Sequence, residues 1–76
     1  MRELLLTLVC YLVEQPDAVV VREEPAEGSI VFKIEVAPDD VGRVIGRQGR
    51  VIRALRAVMR AAAARAGQRI AVEIGQ

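Results

Sequence analysis

Histidine and tryptophan are absent from this 76-residue chain, and cysteine, tyrosine and phenylalanine occur once each. A single cysteine, Cys10, cannot form an internal disulfide. Without histidine there is no Cys/His metal cluster and no imidazole for acid–base work. No GxxxxGK[ST] segment occurs, so a nucleotide-binding P-loop is excluded. Tyr11 and Phe32 are too few for a surface that stacks bases on aromatic rings, which argues against an RRM or most OB-folds. Any base pocket has to be aliphatic. No apolar run reaches the roughly 18 residues of a membrane span. Glu3 and Glu14 interrupt the leucine-rich start and no small-residue cleavage site follows, so neither a signal peptide nor a membrane segment is expected. An intracellular protein is the expectation.

What is present is aliphatic. Hydrophobic residues make up 53% of the chain, which a short chain needs, because a domain of about 60 residues buries only ~60% of its unfolded surface. One domain is expected, and dimerisation would add to a thin core. The near-neutral net charge of +1 hides a strong asymmetry. Residues 1–42 carry Arg2, Arg22 and Lys33 against nine acids, whereas residues 43–76 carry eight arginines against Glu73 alone. Such a split between halves points to a polyanionic partner. It is equally the pattern of a solvated basic helix.

Hydrophobic spacing predicts six elements. Leu5, Leu8, Val9 and Leu12 recur at helical intervals over residues 2–14, and Gln15-Pro16-Asp17 ends the helix. Leu4 and Tyr11 fall on its flank. Ala18 to Arg22 reads as a strand, Pro25-Ala26-Glu27-Gly28 as a turn, and Ser29 to Val36 as a strand with Ile30, Phe32, Ile34 and Val36 on one face. Ala37-Pro38-Asp39-Asp40 opens a short helix that runs to about Ile45. A long helix covers Arg50 to about Ala66, with Gly67 as its stop. Its apolar side is expected to be Val51, Leu55, Val58, Met59 and Ala62, with Arg50, Arg53, Arg56 and Arg60 opposite. Arg69 to Ile74 closes the chain as a strand. The order α-β-β-α-α-β describes a two-layer α+β domain with a three-stranded sheet packed on three helices.

Between the fourth and fifth elements lies Val44-Ile45-Gly46-Arg47-Gln48-Gly49-Arg50-Val51-Ile52. Two glycines enclosing two polar residues form a tight loop whose backbone a ligand can approach, because no Cβ stands in the way. Arg43, Arg47 and Arg50 crowd the same positions, and a phosphate backbone is their natural ligand.

With these elements in place, residues 1–76 resemble a single type II KH domain with its GxxG loop at 46–49. Nearly the whole chain takes part. The N-terminal leucine/valine helix ending in Pro-Asp, the VAPDDVGRVIGRQGR segment, the alanine-rich helix and the final RIAVEI strand are similar to small bacterial single-KH proteins of the KhpA family. The resemblance implies a cytoplasmic protein that binds single-stranded RNA, as an RNA chaperone or post-transcriptional regulator tied to cell shape and envelope homeostasis. It implies a homodimer, or a heterodimer with a larger KH-containing protein of KhpB type. With no histidine, activated nucleophile or metal constellation in the sequence, no cofactor, metal or enzymatic activity is expected. Residue by residue, Gly46 and Gly49 would admit phosphates to the main chain. Arg47 and Gln48 would contact backbone oxygens, with Arg43, Arg50 and Arg53 adding charge. Val44, Ile45 and Ile52 would line one side of a base groove, with part of the Ser29–Val36 strand on the other; such grooves hold about four nucleotides. Arg56 and Arg60 are expected on a solvated face, Asp39 and Asp40 as surface or capping groups, and Cys10 as a packed side chain. A protein-interaction module and a single-stranded DNA binder remain alternatives to the RNA reading.

Overall fold

A computed structural model describes residues 1–75. Helix α1 spans Arg2–Leu12, strands β1 and β2 span Val20–Ala26 and Ser29–Glu35, helices α2 and α3 span Val41–Ile45 and Arg50–Arg65, and strand β3 spans Ile70–Ile74. Short 3₁₀ turns at Pro16–Ala18, Pro38–Asp40 and Arg47–Gly49 join them. The α-β-β-α-α-β order read from the sequence is the order found.

The sheet runs β1-β2-β3, with β2 antiparallel to β1 and parallel to β3. The register sets Ile34 against Val21 and Phe32 against Val72. These four side chains are buried with Leu5 and Val9 of α1, Val44 of α2, and Ile52, Leu55 and Met59 of α3. The core is therefore one aliphatic layer, with Phe32 as its single ring. Burying a side chain of Leu, Ile or Phe size contributes roughly 1.5–3 kcal/mol, so ten such residues supply most of the drive to fold.

Several boundaries differ from the sequence expectation for local reasons. Helix α1 stops at Leu12 rather than Glu14, because the N–H groups of Glu14 and Gln15 donate to the Asp40 carboxylate at 3.1 Å each. Strand β1 starts at Val20 and continues through Pro25 to Ala26, leaving Glu27 and Gly28 as the turn. Proline fits there because β1 is an edge strand, where a missing N–H need not break a ladder. The helix expected after Pro38 is a 3₁₀ turn followed by five residues of α2.

Helix α3 is rotated relative to its expected face. Its buried stripe is Ile52, Leu55, Met59 and Ala63, whereas Val51 and Ala62 are half-buried and Val58 is 46% exposed. Valine and alanine occupy three sides of this helix, so composition alone does not single out the inner one. Arg56, expected on a solvated face, is half-buried and donates through Nε to the Val72 carbonyl at 3.0 Å, fastening α3 to β3. The helix ends as foreseen at Gly67 (φ 69), with the amides of Gly67 and Gln68 bonded to the carbonyls of Ala64 and Ala63. This is the Schellman arrangement, which satisfies carbonyls a helix end would otherwise strand.

Candidate nucleic-acid interface

The loop between α2 and α3 takes its shape from its glycines. Helix α2 ends with the Gly46 amide bonded to the Gly42 carbonyl at 2.8 Å. Gly46 then adopts φ 76 and ψ 170, a region essentially reserved for glycine. A Cβ at this position would sit 2.8 Å from the Val51 amide nitrogen and collide with the Val51 side chain. The loop is thus folded directly onto the first turn of α3. Its return is a 3₁₀ turn in which the Gly49 amide meets the Gly46 carbonyl at 3.1 Å. Gln48 at φ 55 is the only non-glycine residue with positive φ among the described residues. Gly49, in left-handed conformation, is the N-cap of α3, and no side chain caps that helix. The Arg50 amide donates to the Arg47 carbonyl, and the start of α3 brings the positive end of a 16-residue helix beside the loop.

The arginines around this loop divide into two pairs. Arg47 and Arg50 are exposed, as is Gln48, and neither arginine has an ion-pair partner among the described residues. Arg43 is engaged: its guanidinium lies 2.8 Å from Glu14 and 3.4 Å from Asp40. Arg53 turns back onto the loop, where Nη1 donates to the Gln48 carbonyl at 2.7 Å. Of the basic side chains expected to face a ligand freely, two already hold the protein's own groups.

The apolar lining expected for a base groove is also redistributed. Val44 is fully buried and Ile52 is only 6% exposed, so both belong to the core and offer little or no surface to a ligand. Ile45 is half-buried and retains accessible surface beside Gly46. Strand β2, expected to form the far wall, is the central strand of the sheet, and β3 is the strand tied to α3 through Arg56.

Asp40 was missed as a structural residue. It is 1% exposed and the only buried charged residue among the described ones. Its two oxygens accept the amides of Glu14 and Gln15, and Arg43 supplies the counter-charge. The carboxylate does not cap α2 itself. Instead it ties the exit of α1 to the start of the helix that delivers Gly46. An aspartate just before a helix suggests a cap, and only the contact 26 residues away reveals the other use.

A second surface feature lies between α1 and α3. Leu8, Tyr11, Leu12, Val51, Ala54 and Val58 line an apolar groove of about 270 Å³. Tyr11 is 86% exposed at its rim. Among the described residues there is no group of Cys, His, Asp and Glu that could hold a metal ion. No helix among the described residues is long and apolar enough to cross a membrane.

Comparison with known proteins agrees with the α-β-β-α-α-β fold. The family model described as "KhpA/KhpB, KH domain" matches residues 2–74. The chain is 47% identical over 74 residues to the RNA-binding protein KhpA of Clostridium acetobutylicum, covering 97% of this chain and 99% of that one. It is 46% identical over 74 residues to the protein of that name from Caldanaerobacter subterraneus, with coverage of 97% and 99%. The Treponema pallidum KhpA is 42% identical over 72 residues, with coverage of 95% and 90%. No solved structure gives a significant match.

Proposed function

Because this chain belongs to the KhpA/KhpB KH-domain family, we propose that it binds single-stranded RNA through the Gly46–Gly49 loop and performs no chemistry on it. The observation that carries this reading is the loop itself. Gly46 holds a backbone only glycine adopts, against Val51, while Arg47, Gln48 and Arg50 stand exposed beside the uncapped start of α3. A phosphate in that position would meet the positive end of the helix dipole and the two unpaired guanidinium groups of Arg47 and Arg50. Such contacts fix the strand without reading its sequence. Ile45, half-buried beside Gly46, is the apolar side chain that would meet a base.

A site of about four nucleotides binds weakly by itself, and joining two copies raises the effective concentration of the second site. The apolar groove between α1 and α3 supports pairing with a second copy or with a larger KH-containing protein of KhpB type. In this reading the protein is a cytoplasmic RNA chaperone or post-transcriptional regulator. The same groove also supports the second reading, an interaction module with weak or no nucleic-acid binding.

Fluorescence anisotropy with a short single-stranded RNA, and with DNA of the same sequence, separates these readings. The native chain is expected to bind in a salt-sensitive manner. The Arg47→Asp, Gln48→Asp double variant is expected to lose binding while keeping its circular dichroism spectrum. Equal binding by both proteins, or none by either, would transfer the function to the apolar groove. Tighter binding to DNA would change the ligand but keep the clamp.

A further inference from the structure

Arg53 begins the second turn of α3, and its side chain returns to the loop instead of extending into solvent. Nη1 reaches the Gln48 carbonyl at 2.7 Å. The same nitrogen lies 3.2 Å from the point a Cβ on Gly49 would occupy. Gln48 is held at φ 55 and ψ 25 although it has a side chain, a conformation that side chains disfavour. Gln48 is itself exposed, so packing does little to hold it there. Besides the backbone bond from the Gly49 amide to the Gly46 carbonyl, the hydrogen bond from Arg53 is the one side-chain hydrogen bond to this peptide among the described residues.

We infer that Arg53 is a positioning residue, which spans back over Gly49 to lock Gln48 in its left-handed conformation and so presets the loop for phosphate. It does not take a phosphate itself. This assignment rests on the RNA reading above and changes the part Arg53 plays in it. It also gives Gly49 a second purpose: besides its positive φ, it lacks a Cβ that would crowd the guanidinium and force it to shift by a few tenths of an ångström. Charge-assisted bonds of this kind are stronger than neutral ones, so a single exposed arginine is enough to bias a four-residue loop. The free cations for the ligand are then Arg47 and Arg50, and Arg53 sets the geometry in which they are presented.

The test is a thermodynamic cycle on RNA binding, measured by anisotropy at several salt concentrations. It uses the wild type, Arg53→Met, Gln48→Gly and the double variant. Methionine keeps most of the apolar stem and removes every donor. Arg53→Met is expected to weaken binding about fivefold, because the loop must be ordered on binding rather than beforehand. The slope of log affinity against log salt stays as in the wild type. In the Gln48→Gly background the same change has an effect below about twofold, since glycine enters the left-handed region freely.

If Arg53 meets phosphate instead, the slope falls by about 0.7, the share of one contact on a single strand. The loss is then equal in both backgrounds, and the assignment is overturned. Amide ¹⁵N relaxation on the RNA-free protein supplies an independent arm. Arg53→Met should increase motion at Gln48 and Gly49 while the centre of α3 stays rigid; an unchanged loop overturns the assignment. If the wild type binds no RNA at any salt, the binding role falls with the reading it rests on. The relaxation data then still decide whether Arg53 holds the loop.

Discussion

Replacing Gly46 with alanine tests the loop most directly. At φ 76 and ψ 170 a residue with a side chain is strained by about 1–3 kcal/mol. The new methyl would also lie 2.8 Å from the Val51 amide nitrogen. That neighbour is backbone in the first turn of α3 and cannot rotate away, so overpacking adds about 1–3 kcal/mol. The sum, about 2–6 kcal/mol, is large against the roughly 5–15 kcal/mol that holds a small domain folded. For a domain of 60–100 residues each kcal/mol moves the melting point by about 4–8 °C, so a fall of at least about 8 °C is expected. Two other glycines calibrate the measurement. Gly42 lies within α2, has no positive φ, and a methyl added there would meet nothing within 4 Å. Gly42→Ala should therefore leave stability unchanged or raise it by up to about 1 kcal/mol. Gly67 has φ 69 but open space around it, so Gly67→Ala should cost about 1–2 kcal/mol from backbone conformation alone. Urea unfolding followed by circular dichroism gives all three values. A Gly46→Ala variant no less stable than Gly67→Ala refutes the claim that contact with Val51 fixes this position.

Asp40→Asn leaves one carbonyl oxygen where two oxygens now serve two amides and Arg43, so a loss of about 1–3 kcal/mol is expected in the same urea experiment. The exposed Glu14–Arg43 pair is a control: Glu14→Gln should change stability by less than about 1 kcal/mol, and a larger loss would move the weight of the network from Asp40 to the surface. Val58→Asp places a charge in the groove between α1 and α3 at a residue 46% exposed. If a second copy docks there, sedimentation should show a shift to monomer with little change in unfolding of the isolated fold; an unaltered oligomeric state would place self-association elsewhere.

The residues that were legible in the sequence are those whose role is local. The spacing of Leu5 and Val9 marks a helix face, Gly67 marks a helix end, and Gly46 and Gly49 mark a loop whose conformation needs them. The residues that were misjudged depend on partners distant in the chain. Asp40 looked like a cap because its true donors, the amides of Glu14 and Gln15, belong to another element. Val44 and Ile45 are adjacent apolar residues, and only the packing of α2 decides that the first enters the core and the second keeps some surface. The inner face of α3 was ambiguous because small apolar side chains surround the helix. Likewise, charge counts placed Arg43 and Arg53 near the loop but carried no information about which guanidinium groups were already bonded.

The way the two outer strands are finished has a bearing on how this protein behaves at high concentration. An open sheet margin offers unpaired amides and carbonyls on which foreign strands can grow, a hazard for a chain with 53% hydrophobic residues. Here the β1 margin contains Pro25, which has no N–H to offer. On the opposite side, the Arg56 side chain occupies the Val72 carbonyl of β3. Both margins are interrupted, so neither serves well as a template for fibrillar growth. Growth of an extended ribbon through strand addition is thereby disfavoured at either side of the sheet.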